Sequence, residues 1–105
     1  MKEISVQQLK ELIDSQTEFQ LIDVREPSEF EQANLNGELI PLQTIPTNVD
    51  KISKEKRVII HCRSGKRSAN AILFLEQNFG YSNLENLQGG ILAWKDEIDN
   101  SLDVN

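Results

Sequence analysis

The residues best suited to chemistry lie in one stretch, His61 to Ser68 (HCRSGKRS), which contains the only cysteine of the 105-residue chain. The run from Arg57 to Cys62 (RVIIHC) gives the strongest strand signal in the chain. The loop that follows contains Gly65, and Ser68 is placed to cap a helix from Ala69 to Asn78. The cysteine is therefore expected where a strand ends, a tight loop turns and a helix begins.

Three effects should favour the thiolate of Cys62 over the thiol. A helix N-terminus presents unpaired N–H groups and a partial positive charge. Gly65 lets the loop backbone turn inward, so that successive N–H groups can form an anion-binding nest. The cations Arg63, Lys66 and Arg67 follow within five positions. We therefore expect a nucleophile with a lowered pKa that can carry a persulfide anion and attract an anionic donor such as thiosulfate. The alternative is a buried structural cysteine beside incidental surface cations.

Net charge and composition limit the kinds of binding partner and the cellular compartment that we expect for this protein. The net charge is −6; the three cations near Cys62 contribute +3, so the rest of the chain carries −9. This acidity disfavours nucleic acid and anionic membranes as partners. Hydrophobic residues make up 38% and charged residues 27%, which fits one globular domain over residues 1–105. A signal-peptide-like segment is not evident, so we expect a cytoplasmic protein. A single cysteine excludes an internal disulfide and a cysteine-rich zinc site, and no metal site is predicted.

The rest of the pattern predicts strands that alternate with helices. Ser5 and Gln8 form a capping-box pattern before a helix. Further strands are predicted at 19–24, 39–40 and 84–87, and further helices at 26–32, through Ile45, Val49 and Ile52, and at 91–98. Such alternation predicts an α/β fold around a mostly parallel sheet, with ligands bound beyond the carboxyl ends of the strands.

Three blocks in order, LIDVREPSEF, HCRSGKRSA and LQGGILAWK, resemble the rhodanese homology domain, and the resemblance runs from about Ile4 to Trp94. It implies a rhodanese-like three-layer α/β sandwich with a mostly parallel central sheet flanked by helices. It also implies a sulfurtransferase that carries sulfur as a persulfide on Cys62. Sulfur would pass from thiosulfate or a persulfide donor to a thiol, cyanide or sulfur-carrier acceptor. No cofactor beyond that covalent persulfide is implied.

The resemblance assigns roles around the cysteine. The backbone amides of residues 63–67, including Ser64 and Gly65, would cradle the outer sulfur. Arg63 and Lys66 would help to bind the anionic donor, and Arg67 and Ser68 would close the loop at the helix start.

The same resemblance implies supporting roles for Asp23 and Arg25, which would brace the loop by hydrogen bonds and an ion pair. His61 should point to the opposite face of the strand from Cys62 and pack beneath the loop. Trp94 is interpreted as a core or pocket-wall residue. Glu26, Glu29 and Glu31 are interpreted as a solvated helix face.

The chain departs from the family between Ala33 and Glu38. Many rhodaneses have Gly-His-Ile-x-Gly-Ala here, whereas this chain has Asn34 in the histidine position. The variant resembles the rhodanese domain that follows adenylyltransferases acting on ubiquitin-like sulfur carriers for molybdopterin or thiamine synthesis. It implies a persulfide-donating protein or a ubiquitin-like sulfur carrier as partners besides thiosulfate.

Two other functions stay open. Four residues separate Cys62 from Arg67, one fewer than in the phosphate-binding loop of rhodanese-related phosphatases, so a sulfur atom fits better than a phosphate. A non-catalytic docking or regulatory module of the same fold would have no need of a charged thiolate loop. The chain could also be one domain of a longer protein.

Overall fold

A five-stranded sheet in the order β1-β5-β4-β2-β3 forms the centre of the computed structural model, which describes residues 1–104. The strands are β1 (Lys2–Ile4), β2 (Gln20–Asp23), β3 (Glu38–Leu39), β4 (Val58–His61) and β5 (Leu84–Leu87). Each neighbouring pair runs parallel. The predicted α/β class with a mostly parallel sheet is confirmed.

Helices cover both faces of the sheet. Within residues 1–104 the α-helices are α1 (Val6–Asp14), α2 (Pro27–Gln32), α3 (Lys66–Phe79) and α4 (Gly90–Glu97). One apolar cluster joins β1 and α1 to α4, and the other joins the central strands to α3. Among residues 1–104, the helices are too short or too polar to span a bilayer.

The central strand β4 is buried on both faces, as is usual for a parallel sheet covered by helices. Ile60 and Cys62 belong to the cluster beneath α3, whereas Ile59 belongs to the cluster beneath α1 and α4. Because side chains alternate along a strand, His61 lies on the Ile59 side, opposite Cys62. The predicted orientation of His61 is confirmed.

Of the two predicted helix caps, the one at Ser5 is right and the one at Ser68 is wrong. Ser5 and Gln8 form the capping box of α1, and Gly80 ends α3 with a φ of +69°. Ser68 does not cap α3. The helix begins at Lys66 and its N-cap is Gly65, with a φ of +103°. Ser68 therefore lies in the first helical turn, where its side chain turns inward.

The predicted amphipathic helix through residues 45–52 is wrong. The segment forms two short 3₁₀ helices, Leu42–Thr47 and Val49–Lys51, and Pro46 lies inside the first. Proline lacks the N–H that an α-helix needs, which favours short 3₁₀ turns. Ile45 and Ile52 are nevertheless buried, so the apolar pattern identified core residues correctly.

Candidate active site

Cys62 lies directly after β4, at the carboxyl edge of the sheet, and is 1% exposed. Its Sγ accepts hydrogen bonds from the backbone N–H groups of Gly65, at 3.1 Å, and Ser68, at 3.4 Å. The hydroxyl of Ser68 lies 3.3 Å from the same sulfur. The strand–loop–helix arrangement predicted around the cysteine thus directs several donors at one sulfur atom.

These donors set the pKa of Cys62. Burial raises the pKa, because it disfavours the charged thiolate. Hydrogen bonds from the Ser68 hydroxyl and from the amides of Ser68, Gly65 and Ser64 more than offset burial, so the pKa of Cys62 is below its ordinary value. The lowering arises mainly from hydrogen bonds within the loop and the first helical turn.

The N-terminus of α4 donates hydrogen bonds to two carbonyls of the loop. The amide of Ile91 donates to the carbonyl of Cys62 at 2.9 Å, and the amide of Leu92 donates to the carbonyl of Arg63 at 3.1 Å. Gly90 makes this contact possible. It has a φ of +61°, and a Cβ there would lie 2.5 Å from both carbonyl oxygens. Gly90 therefore allows the N-terminus of α4 to pack closely against the loop, which the sequence did not predict.

Asn86 on β5 was also missed. Its side chain is buried, accepts a hydrogen bond of 2.6 Å from the Ser68 hydroxyl, and donates one of 3.0 Å to the Gly65 carbonyl. The available signal was positional. Asn86 is two residues after Leu84 on a predicted strand, and alternation along a strand places its side chain on the same face of the sheet as Leu84.

The loop cations occupy different environments. Arg63 and Lys66 are exposed, whereas Arg67 is half-buried. Both oxygens of Glu29 accept hydrogen bonds from the Arg67 guanidinium, and these bonds hold the pKa of Glu29 at about 2. Glu26 and Glu31 are exposed as interpreted, whereas Glu29 is partly buried in its ion pair with Arg67 and does not belong to a solvated face. The hydrogen bonds to Glu29 raise the pKa of Arg67 most, and the negative charge of the Cys62 thiolate raises it further.

Asp23 and Arg25 form a buried ion pair beside the loop. Arg25 Nη2 lies 2.8 Å from Asp23 Oδ2 and donates to the carbonyl of Ala33 at 2.7 Å. Asp23 Oδ2 lies 3.6 Å from Nε2 of His61. These contacts fix the end of β2 to α2 and to β4, and direct bracing of the 63–67 backbone stays a prediction. Arg25 also lines a small cavity of about 150 Å³ together with Arg63.

His61 and Trp94 pack as expected. The buried imidazole of His61 has its Nδ1 3.4 Å from the carbonyl of Cys62, and burial lowers the pKa of His61 despite the nearby carboxylate of Asp23. Trp94 packs on the α1 side of the sheet, away from the sulfur. It is partly buried and also lines a cavity on that side, so its interpretation as a core or pocket-wall residue is confirmed.

Comparisons with known proteins agree with this arrangement. A family model described as Rhodanese-like domain matches residues 5–97. A protein named Sulfurtransferase from Allochromatium vinosum is 37% identical over 95 residues, covering 90% of this chain and 88% of that protein. A probable adenylyltransferase/sulfurtransferase, MoeZ, from Mycobacterium tuberculosis is 33% identical over 98 residues, covering 90% of this chain but 25% of that protein. A solved rhodanese-like domain protein from Staphylococcus aureus is similar with a TM-score of 0.83 and 34% identity, covering 100% of this chain and 99% of that one.

Proposed function

The chain belongs to the rhodanese-like domain family, and from that premise we propose that it is a sulfurtransferase that carries sulfane sulfur as a persulfide on Cys62. The observation that carries the proposal is the group of N–H donors at the sulfur, from Gly65 at 3.1 Å and Ser68 at 3.4 Å. Donors fixed before the reaction stabilise an anion without reorganisation. They favour the attacking thiolate and are also positioned to favour a persulfide anion.

The reaction consists of two displacements at sulfur. In the first, the Cys62 thiolate attacks the outer sulfur of thiosulfate. A new S–S bond forms, the S–S bond of thiosulfate breaks, and sulfite leaves with the bonding electrons. In the second, an acceptor such as cyanide or a thiolate attacks the outer sulfur of the persulfide and regenerates the thiolate. Charge is conserved in both steps, and neither requires a proton from the protein.

The charges of the loop support an anionic donor. Arg63 and Lys66 are exposed beside the buried sulfur, on a chain whose net charge is otherwise negative. A local cationic site on an acidic surface attracts small anions such as thiosulfate. A persulfide-donating protein or a ubiquitin-like sulfur carrier could exchange sulfur at the same loop. A reactive thiolate persists in reducing surroundings, so we propose the cytoplasm as the compartment.

Intact-mass analysis tests the proposal. Thiosulfate should add one sulfur atom, about 32 Da, and cyanide should remove it, because the outer sulfur of a persulfide is electrophilic. Cys62→Ser should show no addition. A double variant, Cys62→Ser with Ser82→Cys, has an exposed thiol outside the loop and should take up no sulfur from thiosulfate.

The outcomes separate the rival functions. Wild-type protein that stays unmodified with thiosulfate and with several persulfides would favour the docking or regulatory module. Hydrolysis of an aryl phosphate without sulfur transfer would favour a phosphatase. Sulfur uptake by the Ser82→Cys double variant would mean that a thiol alone is sufficient and that the loop donors are not what matters.

A further inference from the structure

Asn86 is a buried polar residue that the proposed chemistry does not use directly. It is 4% exposed and pairs with Ile60 on β4, two residues before Cys62. Leu84 and Leu87 of the same strand are buried apolar residues. An amide buried there is costly unless it is hydrogen-bonded, so its partners indicate what it does.

Both partners of Asn86 are residues that donate to the sulfur. The side-chain Nδ2 donates to the carbonyl of Gly65 at 3.0 Å, and Oδ1 accepts from the hydroxyl of Ser68 at 2.6 Å. Gly65 and Ser68 in turn place their amides 3.1 Å and 3.4 Å from the Sγ of Cys62. Asn86, Gly65, Ser68 and Cys62 therefore form a closed ring of hydrogen bonds in which the sulfur is one member.

Resting on the proposed function, we propose that Asn86 is a positioning residue for sulfur transfer, which holds Gly65 and Ser68 so that their N–H groups converge on Cys62. Gly65 needs such a partner. It has no side chain, and its φ of +103° is one of several conformations open to glycine. Two hydrogen bonds hold the carbonyl oxygen of Gly65. One comes from the side chain of Asn86, and the other, of 3.2 Å, comes from the amide of Ala69 in α3.

The Ser68 hydroxyl complicates the effect of removing Asn86. A hydroxyl has one proton, so it can donate either to Asn86 or to the sulfur, but not to both at once. When Cys62 ionises, the proton should turn to the sulfur, because a hydrogen bond to an anion is the stronger one. Removing Asn86 therefore frees the Ser68 hydroxyl for the sulfur while it releases Gly65. Only the second effect belongs to the proposal.

The test uses Asn86→Leu in the wild-type chain and in a Ser68→Ala background, where the hydroxyl is absent. The alkylation rate of Cys62 against pH measures its pKa without a sulfur donor, and the single cysteine makes the signal unambiguous. In the Ser68→Ala background we expect Asn86→Leu to raise the pKa of Cys62 by about one unit, which lowers the ratio of thiolate to thiol at a given pH about tenfold. Sulfur transfer should decrease by at least the same factor.

Asn83→Leu is the matched control. Asn83 lies just before the other end of β5 and donates to the carbonyls of Ser53, at 2.8 Å, and Lys56, at 2.6 Å. Its loss should lower stability in urea but leave the alkylation profile unchanged. Asn86→Asp is the second variant, because it keeps the size and the acceptor for Ser68, loses the donor to Gly65, and adds a negative charge. It should raise the pKa of Cys62 more than Asn86→Leu does.

The ionisable groups around the sulfur are the same in every variant except for the charge added by Asn86→Asp. They are Arg63, Lys66 and Arg67 of the loop and first helical turn, Glu29 of α2, and Asp23, Arg25 and His61 beneath the loop. An upward shift in Asn86→Leu is therefore attributable to displaced donors.

Each outcome decides the question. If the wild type takes up no sulfur, the proposed function fails, but the alkylation profiles still test Asn86. If the wild type transfers sulfur and the Asn86→Leu variants keep their pKa and rate, the positioning role is overturned. If both Asn86 variants lose their fold while Asn83→Leu keeps it, Asn86 is a structural residue and the proposal is also overturned.

Discussion

Glu29 of α2 holds Arg67 of α3 through two parallel hydrogen bonds, 2.7 Å from Nη1 to Oε1 and 3.0 Å from Nη2 to Oε2. Residues 38 positions apart in the chain are thereby joined next to the loop that contains Cys62. The carboxylate fixes the direction of the guanidinium and offsets part of its charge. Arg67 is therefore held in place by α2 as well as adding positive charge near the loop.

The first prediction concerns the pH dependence of this pair. The pKa of Glu29 is about 2 in the folded protein, against an ordinary 4.5. The stabilisation is therefore fully present above about 4.5 and is lost as the pH falls through about 2. Glu29→Gln should lower the free energy of unfolding by about 1 kcal/mol at neutral pH, since the pair is partly exposed. Urea unfolding of the wild type and of Glu29→Gln should show that this difference in unfolding free energy becomes smaller as the pH is lowered.

Glu31→Gln is the control for that measurement, because Glu31 is an exposed carboxylate on the same helix. It should leave stability nearly unchanged. A Glu29→Gln difference that stays constant down to about pH 2 would contradict an origin in the ionised carboxylate.

The second prediction separates hydrogen bonds from charge at the sulfur. Ser68→Ala removes a hydroxyl 3.3 Å from Sγ, whereas Lys66→Ala removes an exposed ammonium that salt screens. Ser68→Ala should raise the pKa of Cys62 by about one unit, and Lys66→Ala should raise it less. Alkylation profiles at low and high salt measure both shifts. A larger shift for Lys66→Ala, abolished by salt, would show that the field of the cations dominates.

The third prediction concerns the contact between α4 and the loop. A Cβ on Gly90 would lie 2.5 Å from the carbonyl oxygens of Cys62 and Arg63. Gly90→Ala should cost about 3 kcal/mol of stability, from strain and steric overlap together. It should also slow sulfur transfer on the order of a hundredfold, because the loop must shift.

Gly80→Ala provides the comparison for Gly90. Gly80 also has a positive φ, +69°, but nothing lies within 4 Å of its Cβ position. The substitution should cost about 1 kcal/mol through backbone strain and leave sulfur transfer intact. Equal losses of transfer in the two variants would mean that α4 does not position the loop.

The fourth prediction uses the only histidine in the chain. Burial lowers the pKa of His61 below 6.5, so the unfolded chain takes up a proton more readily than the folded one. The stabilisation is thus present above about 6.5 and is lost as the pH falls below it. His61→Gln should flatten the decline in unfolding free energy between neutral and mildly acidic pH. The NMR signal of the single imidazole should show no titration near 6.5, and a titration there would contradict the burial.

The sequence predicted those parts of the site that depend on local signals. The run ending at Cys62, the glycine at residue 65 and the helix after it are neighbours in the chain, and each has a strong backbone preference. Ser68 was misplaced because serine commonly caps helices, whereas here Gly65 adopts the left-handed conformation and leaves Ser68 inside the first turn.

Contacts between distant segments could not be read from residue types. Asn86 meets Ser68 only because β5 pairs with β4, and that order of strands is not encoded in any short motif. In the sequence Glu29 is indistinguishable from the other glutamates of its helix, and only the packing of α2 against α3 brings it to Arg67. The 3₁₀ segments around Pro46 show the same limitation. The spacing of apolar residues correctly predicted that Ile45 and Ile52 are buried, but it did not distinguish a 3₁₀ helix from an α-helix.

The carbonyls of the active loop have a further consequence. The carbonyl of Cys62 accepts a hydrogen bond from Ile91, that of Arg63 from Leu92, and that of Gly65 from Asn86 and Ala69. All three oxygens are thus bound by donors outside the sulfur site. Rotating one of these peptides to present oxygen inward would break its outer hydrogen bonds. The backbone of the loop therefore determines that it binds anions and not cations. Side chains at 63, 64 and 66 can change which sulfur compound approaches without turning the loop into a cation site.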